Sequence, residues 1–320
     1  MIRKPSLVVT ALFVSCLLNL VGIFFFVWFL QTAAHLKHVK REKNLLAQNL
    51  AVLRGQSRVN DVLSSSDVIK SNFVSHFDGQ EDSFGVLPAR APKPPAGYDL
   101  IIYLHGMGST FLEPFVCPQQ EPIAKQVCDT HPDIIFASLN YRRAWSWGND
   151  AAISDISQNI RELIQRYPVN RIIILGTSMG GCTALTYTAL APDDLKAKII
   201  GAVSAEGAGD LARLFKETKN TTIPPALINA FGGRPEAVPE RYAKQSFLSN
   251  IQGLRGDTRF SIISASRDTI VPPQFQKELV DILQKRNNAT RLLEVNSGHG
   301  VPPASYFVDG LNFVLGKERN

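Results

Sequence analysis

Hydrophobic residues along this chain follow three successive patterns. The first is an unbroken apolar run, "SLVVTALFVSCLLNLVGIFFFVWFL" at 6–30, with no charged residue from Pro5 to Ala34. As a helix at ~1.5 Å per residue it reaches about 37 Å, more than the ~30 Å hydrocarbon core of a bilayer, and so predicts one tilted membrane-spanning helix. A cleaved signal peptide is the competing reading, but its apolar region needs only about 7–15 residues. In the second pattern Leu36, Val39, Lys43, Leu46, Leu50 and Leu53 recur at alternating spacings of three and four. That places them on one seam of a helix. The seam is short and Lys43 interrupts it, so a single amphipathic juxtamembrane helix is expected, with weak self-association through it as the alternative. Gly55 and the polar run "SSSD" at 64–67 read as a linker. The predicted organisation is an anchor over 1–34, a helix and linker over 35–65 and a globular domain over 66–320.

The third pattern alternates strand-like and helix-like segments. Residues 72–89 carry two strand-like runs around an Asp78-Gly79 turn signal, which predicts a hairpin. Short runs rich in Ile and Val follow at 100–106, 134–140, 171–176, 198–205, 259–266 and 291–296, with helical patterns at 153–167, 179–190 and 273–285 between them. Strand and helix in alternation predict an α/β fold with a mostly parallel sheet covered by helices on both faces. The near-continuous apolar character of the strands fits burial on both sides.

Composition adds little to this picture, but charge placement changes it. The chain is 45% hydrophobic and 19% charged, as expected of one sizeable globular domain. Its net charge of +6 comes from residues 1–60, where eight Lys or Arg face the single acid Glu42. With no basic stripe in the remainder, nucleic acid is not an expected partner. Both flanks of the apolar run are basic, so charge does not orient the anchor. Cys117 and Cys128 are close enough in sequence to bridge if the loop folds back, which would place the globular domain outside the cytoplasm, tethered as a single-pass protein; two free buried cysteines are the alternative.

Chemistry concentrates at strand ends. "RIIILGTSMGG" at 171–181 runs from strand to turn to helix with Gly176-Thr177-Ser178-Met179-Gly180 at the turn, the setting of a nucleophile elbow. A serine hydroxyl needs an imidazole to take its proton and a carboxylate to orient that imidazole. His299 in "NSGHG" is the single histidine downstream of Ser178. Asp268 in "SASRDTIVPP" is the expected acid, and Glu206 in "VSAEGAG" is its competitor. "LHGMGS" at 104–109 supplies a glycine-rich loop, so the backbone amides of Met107 and Met179 are the expected oxyanion donors, with His105 bracing the loop. Trp145 and Trp147 in "YRRAWSWGND" are candidate substrate-wall residues, core packing being equally open for each. The four cysteines include no metal-ligand spacing, so neither metal nor cofactor is expected.

Together, "LHGMG", "GTSMGG", "SRDTIVPP" and "SGHG" resemble the oxyanion loop, elbow, acid and histidine of an α/β-hydrolase over residues 72–315. The early hairpin, the helix leading into the elbow strand and "PERYAKQSFLSNI" before the acid are similar to prolyl oligopeptidase-like esterases. The resemblance implies a serine hydrolase cleaving carboxylic esters, with a small-molecule or glycan ester as substrate. A small serine peptidase or amidase and a non-catalytic binding protein are the alternatives. It also implies that a domain starting near residue 65 lacks the gating β-propeller of the larger peptidases, leaving short loops, and a segment over 219–239, to shape the site.

Overall fold

The computed structural model describes residues 67–116 and 121–317. The predicted anchor at 6–30 and juxtamembrane helix lie outside the described residues, as does Cys117. Among the described residues no helix is long and apolar enough to cross a membrane.

Eight strands form one sheet: β1 (Ile69–Val74), β2 (Glu81–Leu87), β3 (Tyr98–Leu104), β4 (Ile134–Leu139), β5 (Val169–Thr177), β6 (Ile199–Ala205), β7 (Arg259–Ala265) and β8 (Thr290–Val295). Their order is β1-β2-β4-β3-β5-β6-β7-β8. The hairpin strands β1 and β2 pair antiparallel, β2 meets β4 antiparallel, and every later pairing is parallel. The Asp78-Gly79 turn closes the hairpin, with Gly79 at φ +75°.

The helices are α1 (Ile123–Thr130), α2 (Asp150–Arg166), α3 (Met179–Leu190), α4 (Asp193–Lys196), α5 (Leu211–Glu217), α6 (Ile223–Phe231), α7 (Pro239–Gln245), α8 (Phe247–Asn250), α9 (Gln274–Lys285) and α10 (Ala304–Leu315). Side chains alternate across each central strand, so Leu100, Ile102, Leu104, Ile172 and Ile174 join one core while Ile101, Tyr103, Ile173 and Leu175 join the other. The first core is covered by α2, α3 and α9, the second by α1 and α10. Each fully buried aliphatic side chain contributes about 1.5–3 kcal/mol relative to exposure. Layering of this kind explains why the strands read as near-continuous apolar runs. It is the α/β-hydrolase arrangement.

Two expectations about loops are revised. Cys128 is a free, buried thiol packed beside Ala124 and Val127, and burial pushes its pKa up to about 12. The hint that it bridges to Cys117, and with it the topological inference from that bridge, is not supported. The segment over 219–239 folds into α6, whose Ile223, Ala226, Leu227 and Phe231 are buried in the first core. α6 packs against a short 3-10 turn at Arg143–Trp145.

That turn belongs to the loop 141–149, which is anchored by a buried ion pair. Arg142, at φ +75°, sets its Nε 2.5 Å from Oδ2 of Asp155 on α2, and its Nη1 2.8 Å from Asp78 in the hairpin turn. Ser75 Oγ donates to Asp155 Oδ1 at 2.5 Å. Removing one partner of a buried pair leaves an uncompensated charge. Asp155→Ala should therefore lower unfolding free energy by about 3–5 kcal/mol in a denaturant titration, and Ser75→Ala by far less.

Candidate active site

The candidate site is built at the carboxyl ends of β3, β5, β6, β7 and β8. Ser178 stands between β5 and α3 at φ +56°, ψ −115°, a strained conformation for a residue with a side chain. Two glycines make that turn sterically feasible. A Cβ on Gly176 would lie 2.3 Å from the Gly180 carbonyl oxygen, and one on Gly180 would lie 1.9 Å from the Leu104 carbonyl oxygen. With only hydrogens at those positions, α3 starts directly against the end of β3 and the serine hydroxyl projects from the turn.

Ser178 Oγ lies 2.8 Å from His299 Nε2, and His299 Nδ1 lies 2.6 Å from Asp268 Oδ2. The other oxygen of Asp268 accepts from the amides of Ile270 at 2.7 Å and Val271 at 2.9 Å, which fixes the carboxylate in its turn. Ser178, His299 and Asp268, read from chain order, are thus brought into one continuous line. Glu206 is brought in too. Its Oε2 lies 3.0 Å from His299 Nδ1 and accepts from the Gly300 amide at 2.8 Å. Glu206 is 1% exposed and sits at φ +54°, just past β6. The sequence offered the two acids as competitors, whereas the fold supplies both.

Burial alone would lower the pKa of His299, but the hydrogen bond and charge of Asp268, with the charge of Glu206, outweigh it and hold the imidazole above its usual 6.5. Burial pushes Glu206 up to about 7, with the charge of Asp268 adding to it and His299 and the Gly300 amide opposing.

The loop after β3 closes over the serine. A Cβ on Gly106 would come 3.8 Å from Ser178 Cβ. His105 is fully buried and braces this loop as expected, its ring nitrogens 2.8 Å from the Gly106 carbonyl and 3.1 Å from that of Asn140. Glu113, which sequence reasoning missed, accepts from the Gly106 amide at 3.1 Å and from Tyr103 Oη at 2.8 Å. Nothing in its local sequence marks that role, since the contact is made by the loop's return past β3. Met107 follows Gly106 in this loop and Met179 follows Ser178 as the first residue of α3, and among the described residues neither amide has an acceptor.

The two tryptophans part company. Trp147 is 1% exposed within the first core, so its ring is taken up by core packing and offers no surface to a substrate. Trp145 is half-buried, next to Ala144, whose carbonyl accepts from the Gly108 amide at 2.8 Å. A cleft of about 460 Å³ lined by Phe77, Asp150, Phe231, Arg241 and Lys244 contains none of these site residues.

A model of the prolyl oligopeptidase family matches residues 140–315. No curated protein sequence matches the chain. Among solved structures, a puromycin-hydrolyzing peptidase from Mycobacterium tuberculosis is similar at 18% identity and a TM-score of 0.61, covering 78% of this chain and 40% of its own. An acylaminoacyl peptidase from Pyrococcus horikoshii is similar at 15% identity and a TM-score of 0.56, covering 73% of this chain and 37% of its own. The fluorophosphonate-binding serine hydrolase F of Staphylococcus aureus, at 15% identity and a TM-score of 0.56, covers 75% of this chain and 93% of its own. These likenesses are of fold, and the chain spans well under half the length of the two peptidases.

The geometry predicts that a fluorophosphonate labels the chain at Ser178 and that Ser178→Ala abolishes labelling with unchanged circular dichroism. The imidazole accepts the serine proton only when neutral, and its pKa is raised. The labelling rate should therefore fall as pH drops through an apparent value above 6.5, measured as a rate profile from pH 5 to 9.

Proposed function

As the chain belongs to the prolyl oligopeptidase family, in which it is a serine hydrolase, we propose that it cleaves amide bonds of short peptides or acylated amines through an acyl-enzyme. The observation that carries the proposal is the line from Ser178 Oγ through His299 to Asp268, at 2.8 and 2.6 Å. In the proposed reaction His299 Nε2 takes the proton of Ser178 as Oγ attacks the acyl carbon. The amides of Met107 and Met179 donate to the oxygen that becomes negative, a kind of stabilisation whose loss elsewhere costs about 10²–10³ in rate. The imidazolium, held by Asp268, returns its proton to the leaving group. Water then repeats the sequence on the acyl-enzyme, with His299 as base and Ser178 as leaving group.

Kinship supports amides over esters, since the family is one of peptidases and two of the similar structures bear peptidase names. Support also comes from His299. A pKa raised toward neutrality lets one imidazole serve as base toward serine and as acid toward a basic amine. Ester cleavage, the first expectation from the sequence, is the second reading, because the same machinery acts on a leaving group that needs less protonation. Trp145 remains a proposed wall of the substrate site on its loop position, and the charge-free run at 6–30 remains a proposed bilayer anchor on its length.

Matched pairs of acylaminoacyl p-nitroanilides and p-nitrophenyl esters separate the readings. The amide reading expects measurable turnover of a p-nitroanilide that Ser178→Ala abolishes. Turnover confined to esters across a panel of acyl groups would assign the site to ester hydrolysis instead.

A further inference from the structure

The second carboxylate at the site has no part in the three-residue reaction. We propose that Glu206 is a positioning residue which shares His299 Nδ1 with Asp268, so that the acid of this site is a pair of carboxylates and either member can hold the imidazole in its working tautomer. The inference rests on the serine-hydrolase reading of the site and deepens it.

Three observations carry it. Both carboxylates reach the same nitrogen, Asp268 Oδ2 at 2.6 Å and Glu206 Oε2 at 3.0 Å. They arrive from different strands, β7 and β6, so the pairing is not a by-product of one turn. Glu206 also accepts from the Gly300 amide at 2.8 Å, which ties the residue after His299 to the end of β6. A carboxylate 1% exposed, on backbone at φ +54°, is an expensive feature for a fold to keep where an apolar residue would pack.

The electrostatics are self-consistent. His299 and Asp268 are the charged or titratable groups that act on Glu206, and Asp268 and Glu206 are those that act on His299. The charge of Asp268 adds to burial in pushing Glu206 up to about 7. If Asp268 loses its charge, that push disappears, Glu206 ionises more readily, and Nδ1–H keeps an acceptor. The three groups titrate together, so apparent values belong to the cluster.

The signs follow. Ionised Glu206 favours the imidazolium, and the imidazolium cannot take the serine proton. Replacing Glu206 with a neutral isostere should therefore move the acid limb of kcat/KM to lower pH, by about one unit for a charge at this distance. A triad with a single acid loses about 10⁴-fold in kcat when that acid becomes an amide, through the wrong tautomer. Here Asp268→Asn should cost only about 10²-fold, with the remaining loss appearing when Glu206 is also neutralised.

The experiment is a double-mutant cycle on the full chain in detergent micelles. It compares wild type, Glu206→Gln, Asp268→Asn and the double variant by p-nitrophenyl acetate hydrolysis and fluorophosphonate labelling from pH 5 to 9. The expected result is a downward shift of the acid limb in Glu206→Gln with its plateau within about tenfold of wild type, and a double variant far below the product of the singles. An unmoved limb, or losses that simply multiply, overturns the proposal. Should Glu206→Gln not fold, Asp268→Asn alone decides, because a loss near 10⁴-fold leaves no role for a second acid. Wild type that fails to label at Ser178 refutes the hydrolase reading itself, whereas labelling wild type with a multiplicative cycle refutes only the shared acid.

Discussion

The close approach of α3 to the end of β3 governs the rest of the site. Gly180 lies so near the Leu104 carbonyl that a methyl group would overlap it, and Gly176 meets the Gly180 carbonyl with as little room. Because the helix starts there, Ser178 is forced into left-handed backbone and its hydroxyl is lifted clear of the sheet. The same approach sets the glycine-rich loop after β3 against the serine. Larger residues at either glycine would push helix and strand apart and displace the serine from its turn.

Around that turn the parallel sheet acts as an aligning device. Strands β5, β6, β7 and β8 are neighbours in order, so their carboxyl ends deliver Ser178, Glu206, Asp268 and His299 side by side. Parallel pairing fixes the spacing of those ends within a few ångströms, and short loops carry each side chain the remaining distance. Hydrogen bonding does the final adjustment: Asp268 is held by two amides of its own turn, and the loop of His299 is tied through Gly300 to Glu206. Desolvation then raises the stakes of each contact, because a buried charge without a partner is far more costly than an exposed one.

The antiparallel hairpin at the other end of the sheet has a supporting part. Its turn residues Ser75 and Asp78 hold Arg142, and Arg142 with Asp155 holds the loop whose Ala144 carbonyl secures Gly108. A chain of polar contacts thus runs from the edge of the sheet to the loop beside Ser178. The contacts of Ser75 and Asp78 with Arg142 join residues more than sixty positions apart, and no short motif announces them.

What the sequence determined by itself was whatever has a local physical cause. Strands buried on both faces are mostly apolar, so β3 to β7 were legible as short apolar-rich runs even with Ser138, Ser204, Ser261 and Ser264 buried among them. A turn that forces a serine into left-handed backbone needs glycine two places to either side, so Ser178 was legible, and chain order then singled out Asp268 and His299. Helix α10 was not singled out, and Glu113 was missed, because their roles depend on what packs against them. Only the tertiary structure decided that Glu206 and Asp268 are partners at one nitrogen rather than competitors, that Trp147 belongs to the core while Trp145 stays half-buried, and that Cys128 is a free thiol. Each of those outcomes is set by distances between segments far apart in the chain. Residue type and spacing cannot encode such distances until the sheet brings the segments together.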